Sequence, residues 1–423
     1  MTRVLTITSL YPPHHLGGAE LSCYDVMTRL TERGHDVKVL CADARLPGVA
    51  DPPGEQDVER RLRVYLRDGV PYAPSMPDRV AIERNNQAVL EDVIERHRPD
   101  VASVWHMGAM SLGLLATLGR LRVPIVYSVC DEWPAYETKL DPWARLWWGS
   151  WWRRAAGTLV ARASGVPTLV GDLGATGAFL WVSDSVRRRV EANTPWTYRC
   201  SSVVYSGIDT RAFPLVEDGE GRSWAWRLLY AGRFDERKGV ETAVRALAHL
   251  PDGATLRLCG QGAPDQRRHL EEVGRSLGVS DRVRFEALDR EALATAYRDS
   301  DVFVFPSLWE EPFGLVPVEA MACGTPVVGT GTGGSAEFLR DGSNFLRFPP
   351  GDAGALAACV RRLAAEPDLR SRLVTAGLAT SRRLDVSRLA DVFEAWHAAA
   401  ANGFADGRPP DRQPIRSDPG ART

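Results

Sequence analysis

The sequence predicts an α/β protein with two doubly wound parallel-sheet domains that face each other across a cleft. The first half opens with the strand RVLTIT, an apolar-periodic helix over 19–33 that Gly34 ends, and the strand DVKVLCA. The same order restarts later, where the strand WRLLYAG is followed by the helix VETAVRALAHL. Strands that alternate with helices predict a parallel sheet covered on both faces. A chain of 423 residues is also too long for one core.

Further short apolar runs extend each predicted sheet. They alternate with helical stretches, as buried parallel strands do. The runs are DVASVWH and PIVYSVC in the first half, and TLRLCG, VRFEAL, DVFVFPS and TPVVGT in the second. The halves join near residues 205–214. Because ligands of doubly wound sheets bind at the carboxyl ends of the strands, the functional residues are expected in the loops that follow them.

Composition limits the classes of partner. A net charge of −2 gives no field that would gather nucleic acid, so nucleic acid is not expected. The seven cysteines never form a C-x-x-C pair and are expected to be reduced thiols of a cytoplasmic protein. No stretch reaches about 18 uninterrupted apolar residues, and the start MTRVLTITSLYPP suits a first strand better than a signal peptide.

The stretch EEPFGLVPVEAMACG, residues 310–324, carries two acids around a predicted helix start. Pro312 and the following Phe-Gly pair predict that start. Backbone N–H groups of Gly314 and Leu315 would then suit a phosphate. Glu311 and Glu319 would repel phosphate unless each has its own donors, and sugar hydroxyls are donors. The arrangement therefore indicates a sugar nucleotide.

A second stretch, AGRFDERKG, follows the strand WRLLYAG and carries two cations. Arg233 and Lys238 are expected at the ligand edge of the second sheet, where they could neutralise a diphosphate leaving group. Only three lysines occur among 52 basic residues, which draws attention to Lys238. If the loop stood alone, a pair of solvated cations would be the better interpretation.

Together these stretches carry a family resemblance. GRFDERKG and EPFGLVPVEAMACGTPVV resemble the signature of family-4 retaining glycosyltransferases of the GT-B fold, built from two Rossmann-like domains. The E-x7-E motif of that family matches Glu311 and Glu319. The resemblance runs to about His397 and includes GGAE at 17–20, VSDSVRRRV at 182–190, SGID at 206–209 and GGSAEFLRDG at 333–342.

The resemblance implies a domain organisation. Residues 1–205 would form the acceptor-side domain and 206–384 the sugar-nucleotide domain. A helix over 385–400 would cross back to the first domain. The remaining residues, 401–423, contain one aromatic residue and many Pro, Gly, Arg and Asp residues, so a disordered tail is expected.

The resemblance also implies a metal-independent, retaining transfer. Glu319 would hold the ribose hydroxyls and Glu311 the transferred sugar. Arg233 and Lys238 would hold the diphosphate and stabilise the charge that builds on it. The departing phosphate would itself take the acceptor proton, so no side-chain base is required.

Backbone groups complete the implied donor site. Gly314 and Leu315 would give amides to the sugar and phosphates. Gly17 and Gly18 would let the first loop approach the distal phosphate, because glycine allows close backbone contact. No cofactor and no metal ligand are expected. The donor is a nucleotide sugar, with uridine as the default, and guanosine and adenosine diphosphate sugars stay open.

The sequence departs from the family at one point. Where the family commonly has a His after a strand of the first domain, this chain reads YSVCDEW, with Cys130 before Asp131. A neutral thiol is a poor proton acceptor. We expect Asp131 to be the catalytic side chain at this strand end, where it shapes the sugar pocket.

Two alternatives to the transferase stay open. One is a sugar-nucleotide epimerase of similar fold, which needs no acceptor. The other is a non-catalytic sugar-nucleotide-binding protein. The acceptor is expected to carry a free hydroxyl on a glycan, a lipid-linked molecule or a natural product.

Weaker signals remain. GTGTGG at 329–334 fits a dinucleotide-binding motif, but no clear β-α-β unit with a ribose-binding acid accompanies it. We interpret it as a flexible loop.

The segment 142–154, PWARLWWGSWWRR, places Trp143, Trp147 and Trp151 on one face if it is helical. That face could pack on the first domain, line an acceptor pocket or rest on lipid headgroups. His106 follows a strand, and it is assigned at most a role toward the acceptor substrate.

Overall fold

The computed structural model describes residues 1–53, 55–67, 70–168, 171–216 and 223–403. The predicted tail beyond 403 lies outside the described residues. By contacts the chain divides into a first unit, residues 1–205 with the helix segment from 389, and a second unit, residues 206–388.

The strands are named in chain order. They are β1 (Arg3–Thr8), β2 (Asp36–Ala42), β3 (Val58–Leu62), β4 (Leu66–Arg67), β5 (Val70–Pro71), β6 (Val101–Val104), β7 (Ile125–Val129), β8 (Ala178–Trp181), β9 (Ser201–Val203), β10 (Arg227–Ala231), β11 (Thr255–Cys259), β12 (Val283–Glu286), β13 (Val302–Phe305), β14 (Val327–Gly329) and β15 (Leu346–Arg347).

The α-helices follow the same convention. They are α1 (Gly18–Glu32), α2 (Met76–His97), α3 (Gly113–Arg120), α4 (Trp133–Leu140), α5 (Ala144–Trp147), α6 (Trp151–Ser164), α7 (Asp184–Asn193), α8 (Val240–Ala246), α9 (Pro264–Ser276), α10 (Arg290–Asp299), α11 (Val316–Ala322), α12 (Ala353–Ala365), α13 (Pro367–Arg383) and α14 (Val386–Ala401). Short 3-10 turns cover Leu173–Ala175, Glu236–Lys238, Leu247–His249, Ser280–Arg282 and Gly333–Glu337.

The first unit contains a parallel sheet of order β3-β2-β1-β6-β7-β8-β9. Its strand order reverses between β1 and β6, which pair in parallel from Val4 opposite Val101 to Ile7 opposite Val104. β6 is buried along its whole length, as expected for a strand covered by helices on both faces. A small antiparallel pair, β4 and β5, lies apart from this sheet.

The second unit repeats the arrangement with a parallel sheet of order β12-β11-β10-β13-β14-β15. Its order reverses between β10 and β13. The core joins strand residues such as Leu228 and Val304 to helix residues such as Val244 and Leu356, all fully buried. Each such aliphatic side chain contributes roughly 1.5–3 kcal/mol when removed from water. The predicted pair of doubly wound parallel-sheet domains is confirmed.

The last helix, α14, packs within the first unit from Leu389 onward. The ring of Phe393 stacks on Trp105 with centroids 4.8 Å apart. Arg33 pairs with Asp391 at 2.9 Å and with Glu394 at 3.0 Å. These contacts tie α14 to strand end β6 and helix end α1.

The Trp-rich segment, residues 142–154, contains parts of two helices and not one continuous helix. α5 ends at Trp147, Gly149 has φ +108°, and α6 starts at Trp151. Trp143 and Trp147 are buried with Tyr65, and their rings meet edge to face. The predicted common face of three tryptophans is therefore wrong, because after the break Trp151 is exposed, and α6 packs on that core through Ala156 and Val160 instead.

Within the described ranges, no helix combines the length and the apolar composition that crossing a membrane requires.

Candidate active site

Three predicted residues of the second unit follow strands that flank the reversal point of its sheet. β10 ends at Ala231 and leads to Arg233 and Lys238, while β13 ends at Phe305 and leads to Glu311. Because β10 and β13 are parallel neighbours, both loops leave the same sheet edge. This edge, at the reversal of strand order, is where doubly wound sheets bind ligands.

Close backbone packing brings the two loops together. The 3-10 turn Glu236–Lys238 is capped by Asp235 and ends at Gly239, whose φ is +65°. A Cβ on Gly239 would lie 2.0 Å from the carbonyl oxygen of Pro306, so only glycine fits. The amide of Leu308 also donates to the carbonyl of Arg237 at 2.8 Å. Lys238 is thereby fixed beside the loop that carries Glu311.

Lys238 and Glu311 form an ion pair, a contact that the sequence did not predict. The Nζ of Lys238 lies 2.7 Å from Oε1 and 2.9 Å from Oε2 of Glu311. Ser307 donates its hydroxyl to Oε1 at 2.8 Å. The carboxylate side chain is 4% exposed and the lysine side chain 21%. The buried carboxylate of Glu311 therefore has its own donors.

The glycine-rich segment GTGTGG supports this pair. Gly334 donates its amide to the carbonyl of Glu311 at 2.6 Å, and Thr332 donates its hydroxyl to the carbonyl of Trp309 at 2.6 Å. Gly333 has φ +60°, and a Cβ there would lie 2.5 Å from the carbonyl oxygen of Glu311. The segment is a packed support for the Glu311 loop, which corrects its interpretation as a flexible loop.

Glu319 lies in α11 and is buried. Its Oε2 accepts a hydrogen bond from the hydroxyl of Tyr297 at 2.8 Å. Burial and the nearby Glu319 charge raise the pKa of Tyr297 well above its usual value, so the phenol stays a donor. α11 starts at Val316, with Pro317 in its first turn. The helix start predicted at Pro312 is therefore wrong, and Gly314 and Leu315 immediately precede the helix.

Arg233 is exposed at the same sheet edge. Tyr230 donates its hydroxyl to the carbonyl of Arg233 at 2.7 Å, which fixes the backbone. With the described residues, the Arg233 guanidinium makes no hydrogen bond or ion pair. Its five N–H donors are available for an anionic ligand.

The first unit brings a second group together at the ends of β1, β6 and β7. His106 Nδ1 lies 2.7 Å from Ser9 Oγ, and Nε2 lies 3.3 Å from Asp131 Oδ2. Asp131 also accepts from the Tyr136 hydroxyl at 2.8 Å and from the Trp133 amide at 3.0 Å. Asp131 and His106 were each noted in the sequence, but their pairing was not predicted.

Burial and charge act in opposite directions on this pair. Burial disfavours the imidazolium, but attraction to Asp131 outweighs it and raises the pKa of His106 to about 9. Burial alone would raise the pKa of Asp131, but His106 and the two other donors lower it below its usual value. Near pH 7 the pair is an imidazolium and a carboxylate. Asp131 is therefore satisfied by protein donors, while His106 is a donor and not a base.

Buried carboxyl groups hold the loop that follows His106. Glu137 Oε1 accepts from the amide of Ala109 at 2.8 Å, and Asp141 Oδ2 accepts from the amide of Leu112 at 2.9 Å. Burial raises the pKa of Glu137 to about 8 and that of Asp141 to about 6. In the sequence, the one sign of this role is that Glu137 and Asp141 are spaced to lie on the same side of α4.

Gly17 and Gly18 lie at the start of α1, where Gly17 has extended backbone and Gly18 is the first helical residue. Cys130 follows β7, and burial raises the pKa of its thiol to about 12. The thiol is neutral near pH 7 and cannot replace an imidazole as proton acceptor. In the part of the chain that the structure describes, no three His, Cys, Asp or Glu side chains are grouped to hold a metal ion.

Comparison with known proteins places the chain and its fold in a class. The model of "Glycosyltransferase Family 4" matches residues 16–212, and that of "Glycosyl transferases group 1" matches residues 223–379. The lipopolysaccharide core biosynthesis glycosyltransferase LpsE of Rhizobium meliloti is 36% identical over 364 residues, 85% of this chain and 89% of LpsE. A glycogen synthase of Mycobacterium tuberculosis is 28% identical over 88% of each chain.

Solved structures share the two-domain architecture. HepE of Anabaena, in complex with UDP and glucose, has a TM-score of 0.66 at 20% identity and covers 96% of this chain and 100% of its own. Sucrose-phosphate synthase of Thermosynechococcus elongatus has a TM-score of 0.69 at 22% identity, with 94% and 100% covered. Two Rossmann-like domains of this kind define the GT-B fold. The chain belongs to the family-4-like GT-B glycosyltransferases, and it is an enzyme that transfers a sugar.

Proposed function

We propose that this enzyme moves a sugar from a uridine diphosphate sugar to an acceptor hydroxyl, with retention of the anomeric configuration and without a metal ion. The observation that carries the proposal is the group of Arg233, Lys238 and Glu311 at the reversal point of the second sheet. The structure of HepE in complex with UDP and with UDP-glucose supports uridine as the base.

The contacts suggest how Arg233 and Lys238 would bind the diphosphate. A lysine ammonium has three N–H donors, and Lys238 directs its charge at the two oxygens of Glu311. Its remaining donor and the Arg233 guanidinium would bind phosphate oxygens. Both cations stabilise charge that builds on the leaving phosphate, and that charge is larger in the transition state than in the bound donor.

In the proposed front-face step the bond from the sugar C1 to the phosphate oxygen breaks, and a bond from C1 to the acceptor oxygen forms on the same face. The acceptor proton moves to the leaving phosphate oxygen. Glu311 would hold hydroxyls of the transferred sugar and Glu319 those of the ribose. Gly314 and Leu315 would offer amides to the phosphates, and Gly17 and Gly18 would admit the distal phosphate. Asp131 would shape the sugar pocket.

The test is a panel of UDP, GDP and ADP sugars, scored first by thermal shift and then by transfer. A ligand at 100 times its dissociation constant adds about 2.7 kcal/mol of stability. The product anomer, read by NMR, should match the donor, and activity should survive EDTA. An inverted product would refute retention, and activity lost in EDTA but restored by Mg²⁺ or Mn²⁺ would refute metal independence. A donor isomerised without acceptor would identify an epimerase.

We further propose that the enzyme is cytoplasmic and rests on an anionic membrane surface through α6. Trp151 is 81% exposed, Trp152 56% and Leu159 66%. The helix carries three arginines and no acid, and Arg153 lies over the Trp152 ring at 5.2 Å. Exposed indoles beside arginines suit the headgroup region of a bilayer. The role of LpsE in lipopolysaccharide core biosynthesis supports a lipid-linked glycan as acceptor.

The membrane proposal is tested by liposome flotation with the Trp151→Ala/Trp152→Ala double variant. Binding to vesicles that contain phosphatidylglycerol should fall at least tenfold, with the melting temperature unchanged because both side chains are exposed. Met76→Ala, which removes another exposed apolar side chain of the first unit, is the matched control. Equal binding of the double variant and the wild type would refute the proposal.

A further inference from the structure

Glu20 is a buried carboxylate that the reaction scheme does not use. It lies in the first turn of α1 and is 5% exposed. Within the described residues, its side chain makes no hydrogen bond and no ion pair. Buried carboxylates are ordinarily paired or hydrogen-bonded, because an isolated buried charge costs several kcal/mol.

The usual structural explanation for this position is a capping box. In that motif a Glu at the third helical position accepts from the amide of the residue before the helix, here Gly17. Glu20 is the third residue of α1, yet that hydrogen bond is absent from the described contacts. The positive end of the helix favours an acid by up to about 2 kcal/mol where the site is partly buried. This effect leaves the buried carboxylate oxygens without a hydrogen-bond donor among the described residues.

The surroundings of Glu20 are those of the first-unit site. Its charge acts on Cys130, after β7, and on His106, after β6. A Cβ built on Gly17 would lie 3.6 Å from Oε2 of Glu20, so this oxygen lies beside the backbone of Gly17. The carboxylate is thus within electrostatic range of the strand ends that carry His106 and Cys130.

We propose that Glu20 binds a hydroxyl of a sugar substrate and sets specificity at the first-unit site. The inference rests on the proposed function. Glu20 can only accept hydrogen bonds, so its ligand must donate, and a neutral sugar hydroxyl donates without adding negative charge. A phosphate oxygen in direct contact with this carboxylate would instead be repelled. The hydroxyl belongs either to the transferred sugar or to the acceptor.

The experiment compares Glu20→Gln with Glu95→Gln, which changes an exposed acid on α2. Glu20→Gln keeps the shape and removes a buried unpaired charge. The melting temperature should therefore stay equal or rise, while kcat/KM for transfer falls at least tenfold, about 1.4 kcal/mol of barrier. Glu20→Asp, which keeps the charge but withdraws it by one methylene, should show the same loss of transfer. Glu95→Gln should match the wild type.

A second measurement identifies the source of the hydroxyl. If Glu20 binds the transferred sugar, slow hydrolysis of the UDP sugar without acceptor falls together with transfer. If it binds the acceptor, hydrolysis is unchanged and the acceptor KM rises. A lower melting temperature in Glu20→Gln, or transfer within twofold of wild type, would overturn the proposal. Failure of the proposed function would appear differently, as absence of transfer in the wild type and in Glu95→Gln alike.

Discussion

Replacing Lys238 with Met removes the ammonium but keeps an unbranched apolar stem beside Trp309. The carboxylate of Glu311 then loses both contacts, at 2.7 and 2.9 Å, and keeps the Ser307 hydroxyl among its described partners. Since its side chain is only 4% exposed, water cannot replace the ammonium. Removing one partner of a buried pair typically costs 3–5 kcal/mol, and we expect about 3 kcal/mol because Ser307 remains.

Replacing Glu311, the other partner of the pair, should lower the free energy of unfolding less than replacing Lys238. Glu311→Gln leaves the Lys238 side chain, which is 21% exposed and can gain water. We expect about 1.5–2 kcal/mol, at the lower end of the range for a hydrogen bond to a charged group. The double variant should then be more stable than the sum of the two single losses predicts. That difference is the coupling energy of the pair.

The free energy of unfolding of the four proteins is measured with urea and their melting temperature by heating, with the transition of the second unit followed by its own probe. A loss of 3 kcal/mol lowers the melting temperature by roughly 6–12 °C for a unit of this size. Additive losses, or a cost below about 1 kcal/mol for Lys238→Met, would refute the buried-pair reasoning, because exposed pairs behave in that way.

Three further predictions concern individual side chains. Glu319→Ala should raise the Kd for UDP while Glu311→Ala mainly lowers kcat, since ribose contacts are the same in ground and transition states; equal UDP affinity in Glu319→Ala and wild type would contradict this. Cys130→Ala should stay within about tenfold of wild-type turnover and Asp131→Ala should lose more, whereas a loss of about 10³ in Cys130→Ala with folding intact would show that the thiol reacts. The pKa of His106, raised to about 9, gives stability that is complete below pH 6.5 and lost as pH rises through 9. Relative to His106→Gln, the wild type should therefore lose about 3 kcal/mol over that window, and parallel pH profiles would refute the pairing.

Strands and their ends could be predicted from the sequence, because buried parallel strands are continuous apolar runs. β1 and β2 have the predicted bounds, and Arg233, Lys238 and Glu311 follow neighbouring strands as expected. Loop courses could not be predicted in this way. The Lys238–Glu311 pair depends on Gly239 packing against Pro306, a contact between distant segments that no local pattern encodes.

The helix start near Glu311 shows the same limit. Two prolines, Pro312 and Pro317, are both compatible with a first turn. The second is used, because the preceding loop is held by Gly333 and Gly334 against the backbone of Glu311. Tertiary contacts decided between two locally equal signals. The Trp-rich segment is similar, since one glycine, Gly149, separates the buried tryptophans from the exposed ones.

Buried acids in both units are ordinarily compensated by protein donors before a ligand arrives. Glu311 has Lys238 and Ser307, Glu319 has Tyr297, and Asp131 has His106. Each of these carboxylates can keep its protein donors and still accept a hydroxyl through its further lone pairs. Glu20 differs, because it is equally buried and has no donor among the described residues. A ligand hydroxyl would therefore gain more at Glu20 than at the compensated acids, so the first-unit site should discriminate substrates most strongly at that carboxylate.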